Sequence, residues 1–195
     1  MKVLCICASP RHNGSCSFIL DCFINGFITE ENTAEKVCIS DVDIQYCRGC
    51  KKCYENGICI QKDGVLNLVK KMLDSDIVVI AAPSYWADVP GQLITFFDRN
   101  TPLGDTNPNH IVKAKKQVLG VSIVVRAGNS EKENEIILDF IEHYYGHMGI
   151  TPIQRFSIRN TDSLDDLITK QKRNLEEICA FAASVSYTHL TLPTT

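Results

Sequence analysis

The stretch Ile77 to Gln92 reads IVVIAAPSYWADVPGQ. Its first six residues, Ile77 to Ala82, are apolar without alternation and rich in β-branched side chains, as a strand buried on both faces of a parallel sheet must be. At Pro83 the composition turns to proline, serine and aromatic residues, and Pro90 then opens a helical pattern running to Asp98. The unit is therefore strand, loop, helix.

The same unit recurs on either side. Lys2 to Ala8 is a second apolar run, followed by the polar loop SPRHNGSCS and by Phe18, Ile19, Phe23, Ile24 and Phe27 at helical spacing, so that a helix begins near Ser15 or Ser17. Further strands are expected at Lys36 to Ser40, Gln117 to Val125 and Thr151 to Ile158. Further helices are expected at Val65 to Leu73, Glu133 to Met148 and Leu164 to Ala183. Five strands alternating with helices predict an α/β fold with a three-layer, doubly wound, five-stranded parallel sheet. At 195 residues and 45% hydrophobic content, one core suffices, and one domain over 1–184 is expected. The terminal run VSYTHLTLPTT, Val185 to Thr195, resembles the translation of a transposase sequencing adapter, and 185–195 is expected to be a non-native tail.

Net charge is −3 with the signs interspersed and without a lysine or arginine stripe, so no nucleic-acid partner is expected. The opening MKVLCICASP is too short for a signal-peptide core, and no later run reaches membrane-spanning length. The expectation is a cytoplasmic protein without a membrane segment. Its ten cysteines then read as reduced thiols and metal ligands rather than as a disulfide scaffold. Cys5, Cys7, Cys16, Cys22, Cys38 and Cys179 are scattered, as small buried apolar residues would be.

The other four cysteines are not scattered. Cys47, Cys50, Cys53 and Cys59 lie in YCRGCKKCYENGIC as C-x2-C-x2-C-x5-C, inserted between sheet elements at 47–59. Three thiols at steps of three can curl around one centre, and a fourth beyond the Gly57 turn can close it. Structural zinc sites usually pair two C-x2-C knuckles across a longer gap, so the spacing favours an iron–sulfur cluster, with zinc and free or redox thiols as alternatives.

In a doubly wound sheet, ligands sit beyond the carboxyl ends of the strands. The loop Ser9 to Ser17 offers hydroxyls, a guanidinium and Gly14 at a helix N-terminus, where free N–H groups favour a phosphate. It matches neither the triphosphate nor the dinucleotide glycine pattern, and a phosphate monoester such as that of FMN fits better. Tyr85 and Trp86 are the aromatic pair expected beside a flat isoalloxazine ring.

Ser9-Pro-Arg with Gly14-Ser15, the string PSYW followed by Pro90-Gly-Gln-Leu93 and Phe97-Asp-Arg99, and the cysteine motif together resemble the flavodoxin-like NAD(P)H-dependent FMN reductases, most of all the iron–sulfur flavoprotein branch. The resemblance spans Met1 to Gly149. It implies a flavodoxin-like fold and FMN held by Ser9, Arg11, Ser15, Cys16 and Ser17 at the phosphate. It further implies Pro83, Ser84, Tyr85, Trp86 and Ala87 at the ribityl chain and ring, with Arg126 and Gly128 bordering the ring. Many relatives carry threonine where this chain has Cys16, which removes a hydroxyl donor there. The resemblance also implies a [4Fe-4S] cluster on Cys47, Cys50, Cys53 and Cys59, and a homodimer or homotetramer.

The activity so implied is an FMN-dependent NAD(P)H oxidoreductase acting on a flavin, quinone or similar small acceptor, without a catalytic side chain. The alternatives are an electron carrier serving ferredoxin-like partners through FMN and the cluster, and a cysteine-based metal-binding module. His143 and His147 have zinc-protease spacing but lack the following glutamate, so a solvated helix face is expected; Arg99 is expected in an ion pair or a subunit contact.

Overall fold

A computed structural model describes residues 1–109 and 116–187. Five strands, β1 (Lys2–Cys7), β2 (Thr33–Cys38), β3 (Ile77–Pro83), β4 (Val118–Val125) and β5 (Ile150–Ile158), form one all-parallel sheet in the order β2-β1-β3-β4-β5. The flavodoxin-like doubly wound sheet expected from the sequence is the one found.

The pleat explains the layers. On β1, Leu4 and Ile6, with Ala8 just beyond the strand, enter one core and Val3, Cys5 and Cys7 the other; on β3, Val78, Ile80 and Ala82 oppose Ile77, Val79 and Ala81 in the same way. The first core is closed by α3 (Val65–Asp74), α4 (Gly91–Asp98) and α5 (Glu131–His147). The second is closed by α1 (Ser15–Phe27), α6 (Leu164–Lys170) and α7 (Lys172–Tyr187). A short α2 (Cys53–Asn56) lies in the cysteine segment. Of the scattered cysteines, Cys5, Cys7 and Cys16 are buried, while Cys22, Cys38 and Cys179 are half-buried. Among the described residues, no helix is long and apolar enough to cross a membrane.

Two expected elements are corrected. The second strand is β2 at Thr33–Cys38 rather than 36–40, because TAEKVC is a polar edge strand with little apolar signal and Ile39–Asp41 turns into a single 3-10 turn. The last helix is two. α6 starts on a capping box between Ser163 and Asp166 and stops at Gln171, whose side-chain amide donates to the Arg159 carbonyl at 2.7 Å instead of facing solvent. α7 then continues through Val185, which is buried in the second core, to Tyr187; the rest of the expected tail, 188–195, lies outside the described residues.

Candidate functional site

The carboxyl ends of β1, β3 and β4 deliver three loops to one open cavity of about 410 Å³. Ser9, Arg11, Ser15 and Cys16 line it from the first loop, Pro83, Ser84 and Tyr85 from the second, and Arg126 from the third. Its floor at one end is the start of α1. Gly14 is the N-cap and supplies no side chain, and no acid stands in the first turn, so the leading N–H groups of α1 remain free for an anion. The Ser9 hydroxyl accepts from the Arg11 N–H at 3.1 Å and fixes the bend of that loop.

Arg126 brings a second cation to the wall. One of its Nη atoms pairs with Glu133 at 2.6 Å, while its Nε is buried without a partner. A Cβ at Gly128 would meet the Arg126 guanidinium at 2.9 Å, so a side chain there would push the guanidinium from its present position. Free helix N–H groups, two guanidiniums and one unspent buried donor suit a phosphate monoester carried on a planar polar ring. FMN fits this cavity, which lies within the volume range of small-ligand sites.

Not every expected residue faces the cavity. Ser17 is buried, its hydroxyl accepting from Lys36 at 2.9 Å; the Cys16 thiol packs in the second core, where burial raises its pKa, so Cys16 can offer a ligand only its backbone N–H. Trp86 and Ala87 form the tip of a two-residue turn clasped by reciprocal hydrogen bonds between Tyr85 and Asp88 at 2.9 and 3.0 Å. Both have positive φ, 57° and 60°, and the Trp86 side chain is fully exposed. A tryptophan and an alanine at these positions strain a turn that asparagine and glycine adopt readily. Trp86→Asn/Ala87→Gly should therefore stabilise the fold by about 1 kcal/mol. A chemical-denaturation midpoint that fails to rise would contradict this reading of the turn.

The sequence gives no cue to the fourth wall. Thr161 to Leu164, after β5, line the same cavity. The Thr161 N–H donates to the Arg126 carbonyl at 2.9 Å and the Ser15 hydroxyl to the Ser163 carbonyl at 3.2 Å. Only the position of this loop beyond a strand's carboxyl end could have marked it.

A second cavity, of about 210 Å³, is lined by all four cysteines of the motif together with Arg48, Arg99 and Pro102. Left-handed residues at Gly49, Lys51 and Gly57 curl the segment, and the Gly57 N–H closes α2 on the Cys53 carbonyl at 2.8 Å. Burial, and after it the neighbouring Cys59, Cys50 and Cys47 sulfurs, push the Cys53 thiol upward. Four sulfurs within electrostatic reach repel as thiolates, and a cationic centre relieves that repulsion; the donor set fits an all-thiolate metal or cluster site.

Arg99 anchors this segment. With Asp63 it forms a buried bidentate pair at 2.5 and 3.1 Å, and it donates to the Gln45 carbonyl at 2.6 Å and to the Cys59 sulfur at 3.5 Å. Burial alone would raise the Asp63 carboxyl, but Arg99 and the Gln45 and Val65 N–H groups outweigh it and hold the pKa below the ordinary value. Asn107 adds a further tie, donating to the Cys53 carbonyl at 3.0 Å. The ion pair expected for Arg99 thus supports the cysteine loop, whereas His147 bonds Asp105 at 2.6 Å and faces His143 at 3.0 Å on a partly exposed helix.

The sequence profile of the family described as NADPH-dependent FMN reductase matches residues 1–160. An iron-sulfur flavoprotein of Archaeoglobus fulgidus is 35% identical over 153 residues, 78% of this chain and 66% of that one. An iron-sulfur flavoprotein of Methanosarcina thermophila is 29% identical over 149 residues, covering 75% of each. The chain thus spans a little under two thirds of the length of the first relative. Among solved structures, an NAD(P)H:quinone oxidoreductase from Methanothermobacter marburgensis superposes with TM-score 0.71 over 97% of this chain and 98% of its own, at 15% identity. An FMN-dependent NADH-azoreductase from Bacillus anthracis, in complex with FMN, gives 0.71 over 95% and 100%, also at 15% identity. Both show a shared fold.

Proposed function

The chain belongs to the NADPH-dependent FMN reductase family, its iron–sulfur flavoprotein branch, and from that premise we propose that it is an FMN-dependent NAD(P)H oxidoreductase reducing a flavin, quinone or similar small acceptor. The observation that carries this reading is the cavity at the carboxyl ends of β1, β3 and β4, with free α1 N–H groups and Arg11 at one side and Arg126 at another. Bound there, FMN supplies hydride and single-electron chemistry, and a cluster on Cys47, Cys50, Cys53 and Cys59 supplies a one-electron relay.

The protein's part is to hold and orient. Ser9, Arg11, Ser15 and the Cys16 and Ser17 N–H groups take the phosphate; Pro83, Ser84 and Tyr85 border the ribityl chain and ring; Arg126, set by Glu133 and by the absence of a side chain at Gly128, meets the polar edge of the ring. Trp86 and Ala87, held outside the cavity at the turn tip, approach the ring from the rim, where a second subunit of a homodimer or homotetramer would also cover it. The second reading, an electron carrier for a ferredoxin-like protein, is favoured by the exposure of Cys47 and Cys50, which leaves the cluster site open to a protein surface.

Steady-state oxidation of NADH and NADPH with quinone and free-flavin acceptors tests the proposal against reduction by a reduced ferredoxin. Rapid turnover with a pyridine nucleotide is expected; rapid reduction by ferredoxin alone would overturn it in favour of the carrier. Cys50→Ser should lose bound iron while retaining FMN, since the two cavities have separate linings. Retained iron in that variant would remove Cys50 from the ligand set.

A further inference from the structure

We propose a third ligand site, a zinc ion held by His12, Cys38 and Asp41. These residues come from different places: His12 from the loop after β1, Cys38 from the last position of β2, and Asp41 from the 3-10 turn that follows. The imidazole nitrogen, the thiol sulfur and a carboxylate oxygen nevertheless lie within 4.8 Å of one another. His12 Nε2 is 3.2 Å from Asp41 Oδ1. Zinc at about 2.0–2.1 Å from nitrogen and oxygen and about 2.3 Å from sulfur sets neighbouring tetrahedral ligands roughly 3.3–3.6 Å apart; the His12–Asp41 separation of 3.2 Å is close to that, and the set as a whole, within 4.8 Å, contracts onto the ion.

The donor set points to the metal. One imidazole, one thiolate and one carboxylate suit borderline-soft zinc better than magnesium or calcium, which take oxygen alone. Three protein ligands leave the fourth position to water, and the exposure of the His12 and Asp41 side chains, 56% and 60%, gives the ion a way in. Ser40 Oγ lies 3.5 Å from the same Asp41 Oδ1. Cys7, directly across from Cys38 in the sheet register, stands behind the set: it is buried, and its thiol meets both the Ser9 carbonyl, at 3.8 Å, and the Cys38 thiol. An exposed histidine–aspartate pair alone would contribute little, and it would not require a thiol beside it. On binding, the Cys38 thiol releases its proton to solvent and the imidazole enters neutral.

The site's position gives it a role. His12 sits between Arg11 and Asn13, both in the wall of the larger cavity. Zinc would clip that loop to the edge strand β2 and fix the phosphate end of the cavity.

The test is zinc content after equilibrium dialysis of the full-length chain at micromolar free zinc, against a chelator of known affinity. It is run in the parent and in Cys47→Ser/Cys50→Ser, so that zinc in the four-cysteine site is counted separately. One zinc per chain should persist in Cys47→Ser/Cys50→Ser and disappear when His12→Gln, Cys38→Ser or Asp41→Asn is added. Zinc should also raise the thermal midpoint of Cys47→Ser/Cys50→Ser and leave it unmoved when His12→Gln is added. Equal zinc content with and without the His12 and Cys38 changes, or no zinc at all in Cys47→Ser/Cys50→Ser, would overturn the proposal and leave an ordinary surface ion pair.

Discussion

Ser15→Asp should lose FMN while folding at least as well as the parent. Ser15 is the first residue of α1, next to an N-cap without a side-chain bond, and it lines the cavity. A carboxylate there meets the positive end of the helix and stabilises it by about 0.3–1 kcal/mol. In the proposed binding mode the same carboxylate would face the FMN phosphate. Two like charges about 4 Å apart at an effective dielectric constant of about 20 repel by about 4 kcal/mol, which weakens binding about a thousandfold. Riboflavin, which lacks the phosphate, should lose far less. Fluorescence titration of flavin-free protein with both ligands, beside a thermal melt, reads the three effects together; unchanged FMN affinity would move the phosphate away from α1.

Arg99→Met, at the end of α4, should do the most damage of any single change to the anchoring of the cysteine segment. Arg99 and Asp63 are 1% and 3% exposed, and removing the guanidinium leaves a buried carboxylate without its charge partner. Such a loss costs about 3–5 kcal/mol, or roughly 6–20 °C in melting temperature for a chain of this size. Arg99→Met/Asp63→Leu should recover part of it, because an apolar pair replaces the ion pair without a stranded charge. The recovery is partial because the Gln45 and Val65 N–H groups then lose their acceptor. The folded-state pKa of Asp63 lies below the ordinary carboxyl value, so its contribution is fully present above about pH 3.9 and is lost as pH falls through the folded value. The penalty of Arg99→Met should accordingly shrink in acid. Iron retention should fall with it, since Arg99 also reaches the Cys59 sulfur. A melting temperature within two degrees of the parent's would contradict the role given to this pair.

The sheet was legible because β1, β3 and β4 are buried on both faces, and apolar runs such as IVVIAA admit few other placements. β2 was displaced because an edge strand needs only one apolar side, and TAEKVC barely shows it. The cavity was legible in three loops because glycine, arginine and serine before a helix have an electrostatic reason to be there. The wall at Thr161 to Leu164 was not, since its contacts with Ser15 and Arg126 are made through backbone carbonyls that carry no residue signature. Arg99 and Asp63 stand 36 residues apart, and nothing local marks either as buried. Ser17 shows the opposite limit. Its hydroxyl belongs by pattern to the phosphate loop, yet helical phase turns it towards Lys36.

The most direct measurement is the visible absorption spectrum of protein purified without oxygen, with iron and acid-labile sulfide determined on the same sample. The account predicts a flavin spectrum beneath a broad brown shoulder, with about four irons per chain. A yellow flavin spectrum without iron would remove the cluster from Cys47, Cys50, Cys53 and Cys59; no flavin, even after incubation with FMN, would contradict the account at its centre.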